Sequence, residues 1–96
     1  MIRHTVVFRL KHAPGSPEET AFMEDARILA AIPGVGTFEQ LREVSPKNDF
    51  AYGFSMEFAD EAAYRAYNDH PDHVAFVRDR WMTEVDDFLE VDYTPL

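Results

Sequence analysis

Apolar and polar residues alternate strictly at the start of the chain. In "IRHTVVFRLK" (2–11), Ile2, His4, Val6, Phe8 and Leu10 fall on one side, and Arg3, Thr5, Val7, Arg9 and Lys11 on the other. A period of two predicts a strand with one buried face, and it places His4 on that face. The turn-forming "HAPGS" follows. Ser16, Pro17 and Glu19 then supply an N-cap, an N1 proline and a capping box, which predict a helix over 17–31 that stops before Pro33. Its apolar stripe is Phe22, Met23, Ala26, Leu29 and Ala30. Residues 36–44 read as a second, more polar strand, "SPKND" as a turn, and 50–58 as a third strand. On that strand Phe50, Tyr52, Phe54, Met56 and Phe58 share one face. Asp60 caps a helix that Pro71 breaks. With Asp72 as its cap, a further helix over 72–85 is expected to bury Val74, Val77 and Trp81. Residues 87–93 close the pattern as a last strand.

The order β-α-β-β-α-β, with the second helix broken at Pro71, is the ferredoxin-like plan of the α+β class. It predicts a four-stranded antiparallel sheet with the helices on one face. On the first and third strands the opposite face is small, mixed and partly charged. That surface suits the same face of a second copy, so a homodimer closed sheet against sheet is expected.

Ninety-six residues make one domain, 1–96, able to bury about two-thirds of its unfolded surface. A hydrophobic content of 46% with 14% aromatic residues excludes a disordered chain. The absence of cysteine excludes disulfides, a thiolate zinc site and a cysteine nucleophile. Eighteen acidic against nine basic residues give a net charge of −9, which repels nucleic acid and anionic membranes. No apolar run approaches the roughly 20 residues that span a bilayer. Arg3, His4, Arg9 and Lys11 interrupt the N-terminal apolar residues where a signal peptide would need continuity. A cytoplasmic protein without nucleic-acid or membrane partners is expected.

Chemistry concentrates in "YNDHPDHVAF" (67–76). Strand alternation turns His4 and Tyr52 toward the helices, while helical spacing groups Tyr67 with Ala63, and His73 with Val77 and Trp81. Two imidazoles and two phenols thus converge on an apolar interior. Either they satisfy one another and fix the helices, or they equip a small-molecule pocket. His73 is the candidate base. A helix N-terminus and burial both favour its neutral form, whereas Asp69 and Asp72 oppose it. His70 and His73 lack a third ligand, so no metal site is expected. The glycines, at 15, 34, 36 and 53, form no phosphate-binding loop, so no nucleotide cofactor is expected. His12, beside the Gly15 turn, is expected in solvent.

The strand "IRHTVVFRLK", the helix exit "AAIPGV", the stretch YxxHPxHxxF at 67–76 and the closing "VDYTP" together resemble the stress-responsive dimeric α/β-barrel (Dabb) family. The resemblance extends over nearly the whole chain and implies a ferredoxin-like protomer that pairs through its sheet into a barrel. It also implies two functional readings. Some members look like non-catalytic, stress-associated binding or structural dimers. Another, olivetolic acid cyclase, closes a linear polyketide thioester by intramolecular aldol condensation without a cofactor. That resemblance carries the histidine base onto His73, its partner tyrosine onto Tyr67 and a first-strand histidine onto His4. Two positions depart: the third-strand histidine is Tyr52 here, and a first-helix pocket tyrosine falls on or near Asp25. The resulting expectation is a polyketide cyclase-like lyase or isomerase with no cofactor and no metal, taking a small hydrophobic or polyketide-like ligand. His4, Tyr52 and Asp25 would meet the substrate, and Phe8, Phe22, Phe54 and Trp81 would wall an intraprotomer cavity.

Overall fold

The computed structural model describes residues 1–96. The elements are β1 (Ile2–Leu10), α1 (Pro17–Asp25), β2 (Gly36–Arg42), β3 (Tyr52–Phe58), α2 (Glu61–Asp69), α3 (Pro71–Phe76) and β4 (Val85–Tyr93). They form one four-stranded sheet in the order β2-β3-β1-β4, with every neighbouring pair antiparallel. This is the ferredoxin-like α+β plan that the alternation predicts.

Alternation on β1 survives intact, with Val6, Phe8 and Leu10 buried. Phe54, Met56 and Phe58 of β3 join them, and Phe22, Ala26, Leu29, Tyr67 and Phe76 press down from the helices to complete the core. Phe8 sits at its centre. Its ring lies 4.8 to 6.0 Å, centroid to centroid, from those of Phe22, Tyr52, Phe54 and Trp81.

Prolines set the helix boundaries. Ile32 is extended ahead of Pro33, so the helix predicted over 17–31 leaves α geometry at Asp25 and finishes as 3₁₀ turns over Ala26–Ala31. At its start the Ser16 hydroxyl accepts from the Glu19 N–H at 3.2 Å, but the Glu19 carboxylate accepts from Gly15 rather than Ser16. Only half of the capping box forms. Before Pro71 the extended residue is His70, whose Nδ1 accepts the Asp72 N–H at 3.1 Å. The cap of α3 is therefore His70, not Asp72. Val74, expected inside, is 48% exposed, because α3 turns Phe76 to the core instead.

Past α3 the helix widens into π geometry at Val77–Trp81 and closes with one turn at Met82–Glu84. β4 starts two residues earlier than predicted and runs along the edge of the sheet beside β1, with His4 opposite Asp92, Val6 opposite Glu90 and Phe8 opposite Phe88. These even-numbered β4 residues share the helix side. Leu89 and Tyr93 lie on the other, helix-free face and are 53% and 56% exposed. No helix is long and apolar enough to cross a membrane.

Candidate active site

Between the inner face of the sheet and α2–α3 lies a mostly apolar cavity of about 190 Å³. His4 and Phe54 reach it from the sheet, Tyr67 from α2, His73 from α3 and Trp81 from the π turn. Met82 and Phe88 also line it while remaining 67% and 45% exposed, so the cavity opens between them.

The proton positions on His73 follow from its partner. Nδ1 lies 3.0 Å from the Asn68 carbonyl, which can only accept, so Nδ1 carries the hydrogen. When the ring is neutral, Nε2 holds the lone pair. Burial pushes the His73 pKa below its ordinary value. The Asn68 bond and the charge of Glu90 oppose that shift, and His4 adds to it. At neutral pH the ring is thus mostly uncharged, with Nε2 unprotonated.

Tyr67 stacks obliquely on it, ring centroids 4.5 Å apart, and is 2% exposed. Burial, then Tyr64 and Glu90, push its phenol well above the ordinary range, so it stays an O–H donor. That hydroxyl has no protein partner. Since no fully occluded side-chain polar atom in the molecule lacks one, it is left open to the cavity.

His4, 6% exposed, is fixed from behind. Its Nδ1 donates to Asp92 Oδ1 at 2.6 Å, and the Tyr64 hydroxyl donates to Asp92 Oδ2 at 2.9 Å while lying 2.9 Å from the same Nδ1. A carboxylate and a phenol thus hold one imidazole in a single orientation. Burial, reinforced by the Asp92 bond, raises the Tyr64 phenol and keeps it protonated.

The structure therefore brings His4, Tyr67, His73, Phe54 and Trp81 together. It does not bring in the rest. Tyr52 shares the inward face with His4 but not its end of the sheet, since Tyr52 lies opposite Phe8 and His4 opposite Met56. Four residues of strand separate the two, about 13 Å. The Tyr52 phenol, raised by burial and then by Glu19, belongs to a depression with Met23, Gln40 and Arg42. Phe8 and Phe22, both 0% exposed, are core and not cavity wall. Asp25 is a surface residue paired with Arg80, which also binds Glu84. His12, expected in solvent, is half-buried with Nε2 2.6 Å from Glu84 Oε1. His70 and His73 each commit Nδ1 to backbone, and no group of three potential ligands stands together.

Sequence reasoning passed over Tyr64, Asp92 and Glu90. Tyr64 precedes Tyr67 by three residues and so shares its helix face. Asp92 and Glu90 are signalled by parity along β4 once that strand is paired with β1.

No curated relative matches the chain. Among solved structures, a Dabb-family protein of ferredoxin-like fold from Mesorhizobium loti is 70% identical at TM-score 0.98, covering 99% of this chain and 96% of that one. A dimeric ferredoxin-like protein of unknown function from Jannaschia is 26% identical, with coverage of 98% on both chains and TM-score 0.72. A hydroxynitrile lyase from Passiflora edulis, 14% identical at TM-score 0.84 over 99% of this chain and 93% of that one, shares the fold alone. The model of the stress responsive A/B barrel domain matches residues 2–95, and the chain belongs to that family, Dabb.

Proposed function

We propose that the protein is a cofactor-free proton-transfer enzyme acting on a small apolar carbonyl compound, with polyketide cyclase-like aldol closure as its reaction. The observation that carries this reading is the pairing of a neutral imidazole, its Nε2 lone pair free, with a buried phenol whose O–H has no protein partner. His73 Nε2 removes a proton from a carbon flanked by two carbonyls, and the electron pair moves onto an enolate oxygen. Tyr67 donates a hydrogen bond to that oxygen. The enolate carbon then forms a bond to a second carbonyl carbon of the same chain, and the new alkoxide takes back the proton from His73. His4, held by Asp92 and Tyr64, orients a substrate carbonyl, while Phe54 and Trp81 exclude water.

Size supports closure of a single ring. An engineered apolar cavity of about 150 Å³ accommodates benzene; this one, at about 190 Å³, accepts one six-membered ring with short substituents. The test is mass spectrometry on uncharged, short poly-β-keto thioesters. The wild type is expected to release a cyclised product faster than the buffer alone. No acceleration across the panel by a folded protein would contradict the reading and leave a non-catalytic, stress-associated binding dimer. The second role of the His73–Asn68 bond, pinning the α2–α3 junction, suits that alternative.

Assembly is part of the same proposal. Relatives of this fold from Thermobifida fusca and Jannaschia are described as dimeric. The helix-free sheet face here exposes Leu89 and Tyr93 without a partner, which supports pairing through it. Chemical cross-linking should yield a species of twice the chain mass, and the double change Leu89→Lys with Val91→Glu should abolish it. A doubled mass unaffected by those changes would move the interface elsewhere.

A further inference from the structure

Apart from its two histidines, the cavity lining carries one formal negative charge and no positive one. Glu90, on the inner face of β4 opposite Val6, is the only Asp or Glu among its lining residues, and no Lys or Arg lines it. Burial holds His73 neutral at neutral pH against the opposing pull of the Asn68 bond and Glu90, so it supplies no cation. Asp92, behind His4, adds a second carboxylate at the same end. The nearest arginines in sequence are committed elsewhere, Arg78 to Asp79 and Arg80 to Asp25 and Glu84. The chain as a whole stands at −9.

An organic anion entering this site would lose its hydration, meet no countercharge and lie beside Glu90. A neutral molecule suffers none of this. A primary ammonium gains from it, because Glu90 faces it and the rings of Trp81 and Phe88, 5.5 Å apart edge to face, offer π surface. We infer that the cavity selects uncharged or cationic ligands of single-ring size and rejects carboxylates, with Glu90 as the discriminating residue. This rests on the cavity being the ligand site, and it narrows the substrate class to neutral or amine-bearing carbonyl compounds.

Three single-ring probes of similar size test it: benzyl alcohol, benzylamine and benzoate at pH 7.5, followed by the fluorescence of the single tryptophan, Trp81. Wild-type protein is expected to bind the alcohol and the ammonium, and benzoate about tenfold or more weakly than the alcohol. Glu90→Gln should bring benzoate to within about threefold of the alcohol and weaken benzylammonium. Raising the ionic strength of the wild type should shrink the same gap, because Glu90 is exposed enough to be screened; that arm needs no variant. Equal binding of benzoate and alcohol by the wild type, ratios unchanged in Glu90→Gln, or no binding of any probe would each overturn the inference. Charge-selective binding without turnover of β-keto thioesters would sink the proton-transfer reading and leave this one standing. Turnover without charge selection would do the reverse.

Discussion

Replacing His73 with asparagine should lower turnover of a cyclisable β-keto thioester by about 10² to 10⁴, the range for a positioned general base, while the melting temperature barely moves. Asparagine is chosen because its amide N–H can take the place of Nδ1 and keep the bond to the Asn68 carbonyl. The substitution removes Nε2 and the ring that stacks on Tyr67 while keeping that bond. If the imidazole were purely structural, no catalytic rate would exist to lose, and only His73→Ala, which removes the bond, would lower the melting temperature. The pH profile gives a second readout with a defined sign. Burial depresses the His73 pKa, so the acid limb of kcat/KM should have its midpoint below 6.5, with full activity above it. His4 on β1 pushes that midpoint lower, while Glu90 on β4 and the Asn68 carbonyl push it higher; the phenol of Tyr67 stays uncharged throughout. Stability follows the same group. An unfolded His73 gains its proton near 6.5 and the folded one later, so this contribution is intact above 6.5 and declines as the pH falls through the folded value.

Phe8→Ala should have the largest effect on stability, about 3–5 kcal/mol. Its ring is wholly enclosed and packs on four other aromatic rings, so little can move to fill the space. Against a total of about 5–15 kcal/mol for a domain, that loss brings the protein close to unfolding. Thermal denaturation should show a fall of about 15 °C or more. The contrast is Trp81→Leu, which removes cavity wall and should weaken ligand binding more than it lowers the melting temperature. A mild loss of stability with a strong loss of binding in Phe8→Ala would return Phe8 to the cavity wall, where the sequence reading had put it.

The faces of β1 and β3 were legible because a period of two assigns every side chain at once. The same rule misled at Tyr52. Parity says which side of the sheet a residue faces, not how far along the strand it sits, and antiparallel register puts Tyr52 opposite Phe8 instead of near His4. Asp25 was carried over by resemblance. The α1 surface there is exposed, and the side chain meets Arg80 from the π turn, an irregular segment that no periodicity announces. Two of the α3 misplacements share a cause: Pro71 extends His70, making it the cap, and the short helix then turns Val74 outward.

The hidden half of the site was lost to the edge position of β4. Glu90 and Asp92 read as ordinary surface charges, since an edge strand leaves both its faces partly in water, and only pairing with β1 shows that their parity matches His4 and Val6. Tyr64 was within reach, three residues before a tyrosine already assigned inward. Its neighbour Phe58, stacked on it at 5.0 Å, lies in the core.

The decisive measurement is an NMR titration of the His73 ring nitrogens in the folded protein. The expected result is a neutral Nδ1–H tautomer whose imidazole takes up its second proton only below pH 6.5. A neutral hydrogen on Nε2 would remove the lone pair facing the cavity and contradict catalysis at this site, and a ring still protonated at pH 7.5 would do the same.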